Sequence, residues 1–262
     1  MTTYKTILLE YREEGYVIIT MNRPGELNAL SKDMRLELTD CFTQLEGDPS
    51  VKTIILTGGD FVFSAGGDIK EMSALPDSEI EAYFRSIFVC LRRISLFPKP
   101  VIAAVGGIAL GGGFNLAVVC DLIVASENAI FGHPELRLGL NPLFNPIRRL
   151  VGMAKAKEIA LLGEPIPANE ALRIGLVNKV VVPEKLLMEV ESMAREISRR
   201  SAKATEVVKK VSSMVPHLEV GAALSLEFEL STFLFSRPER KTYMREFLIS
   251  EEMRKRRRRT GD

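Results

Sequence analysis

An α/β fold is predicted for this chain, and three observations predict it. Short unbroken apolar runs recur through the first two-thirds of the sequence, among them Tyr16–Met21, Thr53–Thr57 and Val101–Val105. Stretches with helical spacing of apolar residues separate them. Glycine-rich turns join run to helix at two places, Ala65-Gly66-Gly67 and Gly111-Gly112-Gly113. Continuous apolar runs are what strands buried on both faces look like. Strand, turn and helix in alternation argue for layered α/β structure.

In chain order, Tyr16–Met21 reads as a buried strand, broken by Asn22-Arg23-Pro24-Gly25. Ser31 is placed to cap a helix whose apolar positions are Met34, Leu38, Cys41, Phe42 and Leu45. Thr53–Thr57 is the next strand. A helix covers 78–95, with Pro98 and Pro100 at its exit. Val101–Val105 is a third strand. It leads through Gly106 and Gly107 to the second glycine turn, after which a short helix over 114–120 points its N-terminus back at that turn. Asp121–Ala125 is a fourth strand. Helical patterns then dominate, at 152–162, 168–174, 184–200, 202–214 and 219–235. The clearest stripe is Leu186, Leu187, Val190, Met193, Ala194 and Ile197. The expected division is an α/β core over 1–198 and a helical region over 199–262. The apolar surface of that last region could serve an oligomer or cover the sheet within one chain. No sequence repeat with a clean period is visible.

Composition narrows the function classes. A formal net charge of +1 gives no global field for nucleic acid or an anionic membrane. The local exception, Arg254 to Arg259 with Lys255, reads as a solvated terminus, with an anion or subunit contact as the alternative. Cys41, Cys90 and Cys120 form no C-x-x-C pair, so neither zinc nor a disulfide framework is indicated, and a reducing, cytoplasmic setting is expected. The N-terminus lacks the layout of a signal peptide, and no apolar run is long enough for a membrane span. Neither glycine stretch continues as a dinucleotide-binding or P-loop motif, and no G-x-S-x-G or H-E-x-x-H occurs.

The two glycine turns carry the chemistry. Glycine lets a ligand approach the backbone closely. Two bare N–H groups aimed at one oxygen form an oxyanion hole, usually the largest single contribution to catalysis through an enolate or tetrahedral intermediate.

Both stretches resemble signatures of the crotonase (enoyl-CoA hydratase/isomerase) superfamily: "FSAGGDIKEM" the first, "GGIALGGGFNLAVVCDLIVAS" the second, with "HPELRLGL" following. The resemblance runs from "ITMNRPGELNALS" (19–31) to "REFLIS" (245–250). It implies a spiral of ββα units followed by helices that assemble homotrimers or hexamers. The substrate implied is an acyl-CoA, with coenzyme A as its carrier, no separate cofactor and no metal. Gly67 and Gly112 fall at the positions of the family's oxyanion donors and Glu135 at that of its catalytic glutamate. Ala65, Gly67, Asp68, Ile69 and Lys70 match the lining of the adenine and pantetheine site. Arg23 and Leu27 match contacts at the nucleotide end. Neighbouring His133 is read as structural.

Three departures qualify the resemblance. Asn115 stands where hydratases of the family carry a second glutamate, so one acid/base group is missing and double-bond isomerisation is favoured over hydration. Specialised decarboxylation or hydrolysis, and acyl-CoA binding without turnover, remain alternatives. Leu143, Phe144, Asn145 and Pro146 replace a glycine-rich run beside the acyl pocket, which implies altered chain specificity. Thr242 and Tyr243 replace Glu-Gly near the C-terminus, leaving Phe247 as the remaining interface anchor.

Overall fold

The computed structural model describes residues 3–249. Two compact units are defined by Cα proximity, Met1–Ala202 and Lys203–Asp262. The basic run at 254–259 lies outside the described residues.

In the first unit, β1 (Ile7–Arg12) and β2 (Tyr16–Met21) form an antiparallel hairpin. There follow α1 (Lys32–Gly47), β3 (Thr53–Thr57), β4 (Val62–Ser64), α2 (Ile69–Ser73), α3 (Ile80–Ser95), β5 (Val101–Val105), β6 (Ile108–Leu110), α4 (Gly112–Val118), β7 (Leu122–Ser126) and β8 (Ile130–Gly132). The unit closes with α5 (Phe144–Leu162), β9 (Ile166–Pro167), α6 (Ala168–Arg173), β10 (Lys179–Val181) and α7 (Leu186–Ser198). The larger sheet has the order β1-β2-β3-β5-β7-β10, parallel from β2 onward. The smaller has the order β4-β6-β8-β9. Consecutive strands therefore step from one sheet to the other: β3 then β4, β5 then β6, β7 then β8. Each pair is followed by a helix, which is a spiral of ββα units.

Why the strands read as unbroken apolar runs is now visible. In β2, Val17 and Ile19 enter the main core, while Tyr16 and Ile18 enter a second core beneath α7. In β3, Ile54 and Leu56 face one way and Ile55 the other. Side chains alternate across a strand, and both faces of this sheet are covered. Leu186, Val190 and Ala194, one helical turn apart on α7, supply the second cover.

Helix α1 forms as its sequence dictates. Ser31 Oγ accepts from the Met34 N–H at 3.4 Å, and Met34, Leu38, Cys41, Phe42 and Leu45 are all buried. Burial also pushes the thiols of Cys41 and Cys90 up to about 12.

The same helix carries a buried Arg35. Its guanidinium pairs with Glu71 of α2 at 2.7 Å, donates to Ser86 Oγ of α3 at 2.9 Å, and lies 4.5 Å from the Tyr83 ring centroid. It also donates to the Leu30 carbonyl. Glu71 is partly exposed, so the loss is that of partners left unsatisfied, about 1–3 kcal/mol. Arg35→Met is expected to lower stability by that amount, read as a fall in the urea midpoint at unchanged slope.

Some elements differ from the sequence reading. Helix α5 begins at Phe144 instead of 152, because Pro146 sits in its first turn, where its missing N–H costs nothing. Gly152, at φ +78°, interrupts that helix. Strands β1, β4, β6, β8, β9 and β10 and helix α2 were not anticipated. Most are three residues or fewer, or sit inside glycine turns.

The second unit holds most of α8 (Ala202–Met214), then α9 (Val220–Ser236) and helical backbone over 240–249. On α9, Val220, Leu224, Phe228, Phe233 and Phe235 are exposed. Thr242, Tyr243 and Phe247 fall on the last helical stretch, with Tyr243 and Phe247 exposed.

Candidate active site

The site is assembled from three turns. The first, between β2 and α1, is pinned by Asn28, which is fully buried with φ +52°. Its side chain accepts from the Arg23 N–H and donates to the Gly58 and Val62 carbonyls. This turn holds the second, 65–67, after β4: Ala65 N–H donates to the Leu27 carbonyl and Leu30 N–H to the Gly66 carbonyl. Ser64 joins them further, donating to the Asn28 carbonyl and accepting from the Gly66 N–H. The third turn, 111–113, opens α4, and Gly111 N–H donates to the Gly132 carbonyl.

The second and third turns touch backbone to backbone. A Cβ added at Gly66 would lie 2.7 Å from the Leu110 carbonyl oxygen and 3.0 Å from the Gly112 nitrogen. One at Gly113 would lie 2.1 Å from the Ser64 carbonyl oxygen. One at Gly112 would lie 3.4 Å from the Gly67 nitrogen. Side chains are therefore excluded at Gly66 and Gly113, where the turns meet, and the backbones at residues 67 and 112 come together. Among the described residues neither amide has a backbone acceptor. Gly112 opens a helix, where first-turn N–H groups have no intrahelical partner.

Glu135 reaches the same place from β8. It starts a single tight helical turn, Glu135–Leu138, ended by Gly139 at φ +70°. Its carboxyl lies against Gly111, with Oε1 3.5 Å from where a Cβ would stand. The side chain is 12% exposed. Leu136 and Leu138, its apolar neighbours in sequence, are exposed, and its polar partner is His133. That imidazole is fully buried, with Nδ1 at 2.9 and 3.0 Å from the two carboxylate oxygens. Its ring lies 4.7 Å from that of Phe114.

Gly67, Gly112, Asn115 and Glu135 line one cavity of about 610 Å³, together with Ala65 and Ile69. One wall is the face of α3 carrying Phe84, Ile87, Phe88 and Leu91. The other carries Leu138, Leu140 and Leu143. Of the four residues that depart from the glycine-rich run, Leu143, Asn145 and Pro146 line the cavity, whereas Phe144 packs against the core. Glu135 is the only carboxylate among the described residues lining this space. Asn115 is buried, and its Oδ1 has no hydrogen-bond partner among the described residues.

The expected ligand contacts divide between two cavities. Arg23, Asp68 and Lys70 line a second one of about 490 Å³, with Lys32 and Glu71. Arg23 pairs with Asp68 at 3.1 Å, and Asp68 caps α2 by accepting from the Lys70 and Glu71 N–H groups. Burial works against the Asp68 carboxylate, but those donors and the Arg23 guanidinium outweigh it and hold its pKa below the ordinary carboxylate range. Leu27 lines neither cavity. Its side chain is exposed, and it contributes its carbonyl to Ala65.

Sequence reasoning missed Tyr83. Its helical spacing places it in the α1–α3 contact, yet it lines the larger cavity, with Oη buried and without a partner among the described residues. Burial raises its pKa, so the phenol stays neutral. The contact of His133 with Glu135 was also missed; the i, i+2 spacing in "HPE" was the available signal. Among the described residues no cluster of three or more His, Cys, Asp or Glu side chains is placed for a metal ion, and no helix is long and apolar enough to cross a membrane.

A ββα spiral and a largely enclosed carboxylate facing two converging glycine turns frame the site, and comparison with known proteins gives the family. Residues 11–256 match the enoyl-CoA hydratase/isomerase family, and the chain belongs to it. It is 41% identical over 252 residues to crotonyl-CoA hydratase of Syntrophomonas wolfei, covering 94% of this chain and 95% of that one. It is 39% identical over 246 residues to the short-chain-enoyl-CoA hydratase of Clostridium acetobutylicum, covering 92% and 94%. Among solved structures, enoyl-CoA hydratase from Bacillus anthracis superposes with a TM-score of 0.91 at 30% identity, covering 94% and 97%.

Proposed function

We propose that this protein processes an enoyl-CoA through a thioester enolate, with Glu135 as its single acid/base group, and that it moves the double bond between C3–C4 and C2–C3. The observation that carries this reading is that Glu135 is the one carboxylate lining the cavity among the described residues, with Asn115 in the same lining. The Gly67 and Gly112 amides hold the thioester oxygen. Glu135 takes a proton from C2, negative charge moves onto that oxygen, and both hydrogen bonds strengthen as it does so. Glu135 then returns the proton to C4, and the double bond shifts by one position. Water is neither added nor lost.

The largely apolar cavity walls suit an unsubstituted acyl chain. Arg23, Lys32 and Lys70, interspersed with Glu26, Asp33, Asp68 and Glu71 at the second cavity, are the cations that would meet the nucleotide end of coenzyme A there. Homotrimers or hexamers form part of the same reading, supported by the exposed apolar side chains of α9.

Hydration is the second reading, favoured by the names of the relatives, both hydratases. Supplying 3-enoyl-CoA and 2-enoyl-CoA separately decides between them. The expected result is migration with the first and slow hydration of the second. Asn115→Glu is expected to raise the hydration rate by about 10²-fold or more, as a second acid/base group would. Wild-type hydration as fast as migration would overturn the isomerase reading.

A further inference from the structure

We propose that His133 is a positioning residue: its Nδ1–H, shared between both carboxylate oxygens, holds Glu135 aimed across Gly111 toward the paired amides. The inference rests on the reading of Glu135 as the acid/base group.

Three observations carry it. The His133 side chain is fully buried, so it cannot meet substrate and can act only through a neighbour. Nδ1 lies almost equally far, 3.0 and 2.9 Å, from Oε1 and Oε2. One N–H shared between both oxygens fixes the carboxyl plane as well as its position, which a bond to one oxygen would not. Nε2 is buried and has no hydrogen-bond partner among the described residues.

The carboxylate selects the tautomer. An ionised carboxylate can only accept, so the ring nitrogen that faces it carries a proton. Nε2 has no hydrogen-bond partner among the described residues, so no acceptor there draws the proton away. Phe114, 4.7 Å away by ring centroid, fixes the ring from the side. The reason for a histidine in an otherwise apolar spot is then geometric. Glu135 sits on a short turn ended by glycine, and proton transfer demands placement within a fraction of an ångström.

The test pairs spectroscopy with kinetics. The chain has two histidines, His133 and His217. With ¹⁵N-labelled histidine, His217→Gln assigns the signals, and long-range ¹⁵N–¹H correlations report which ring nitrogen bears the proton. The expected result is Nδ1–H for His133. A ring protonated on Nε2 alone, with Nδ1 bare, would overturn the proposal.

In kinetics, His133→Phe removes the donor while suiting the apolar surroundings. It is expected to lower kcat by about 10- to 100-fold with KM within about twofold. His133→Gln, which keeps an N–H donor, is expected to recover most of that loss. A phenylalanine variant with wild-type kcat, or a glutamine variant as impaired as the phenylalanine one, would also overturn it. If His133→Phe does not fold, the wild-type spectrum and His133→Gln still decide. The two levels separate cleanly. An inactive Glu135→Gln beside a fully active His133→Phe refutes only the role of His133. An active Glu135→Gln refutes the reading on which it depends.

Discussion

Glu135→Gln is expected to lower kcat on enoyl-CoA by about 10²–10⁴-fold while leaving KM and stability nearly unchanged. The amide has the size of the carboxyl group, and its oxygen can still accept the Nδ1–H of His133. Glutamine cannot take a proton from C2, however, and among the described residues no second carboxylate lines the cavity to substitute for it. Steady-state assays with 3-enoyl-CoA, with thermal unfolding as the control, measure this. Retained activity would remove the acid/base assignment, and with it the distinction drawn from Asn115.

Gly66→Ala is expected to cost about 10²–10³-fold in kcat although residue 66 contributes neither proposed donor. Its backbone has φ +101°, a region that L side chains rarely adopt, and its added Cβ would press on the Leu110 carbonyl and the Gly112 nitrogen. Both obstacles are main chain, so relief requires the two turns to part. Separation by even an ångström misaligns a two-donor site. The backbone strain alone is worth about 1–3 kcal/mol of stability. Measuring kcat and the unfolding free energy together checks this. Loss of stability at full activity would mean that the convergence of the turns does not matter to the chemistry.

Much of this was legible in the sequence. The strands β2, β3, β5 and β7 announce themselves because both of their faces are buried, leaving no charged residue to interrupt the run. The α1 stripe and its Ser31 cap were equally plain, being local. The repeat of the spiral was not legible as sequence periodicity. Its smaller-sheet strands β4, β6 and β8 are three residues each, too short to show a pattern, and the segments between them differ in length. The start of α5 was obscured by Pro146, which permits a helix only because it lies in the first turn. At the site, glycine turns and Glu135 stood out by type and spacing. Tyr83 and the role of His133 did not, because burial without a partner is a property of the folded surroundings.

The joint at Ser64 has one further consequence. Its hydroxyl bridges the Asn28 and Gly66 backbones, while its carbonyl leaves no room for a side chain at Gly113. Three stretches far apart along the chain must all arrive before the two amides align. Closing such distant contacts is slow compared with forming local helices and hairpins. Catalytic competence should therefore be among the last properties to emerge as the chain folds, appearing after most of the secondary structure and not growing in proportion to it.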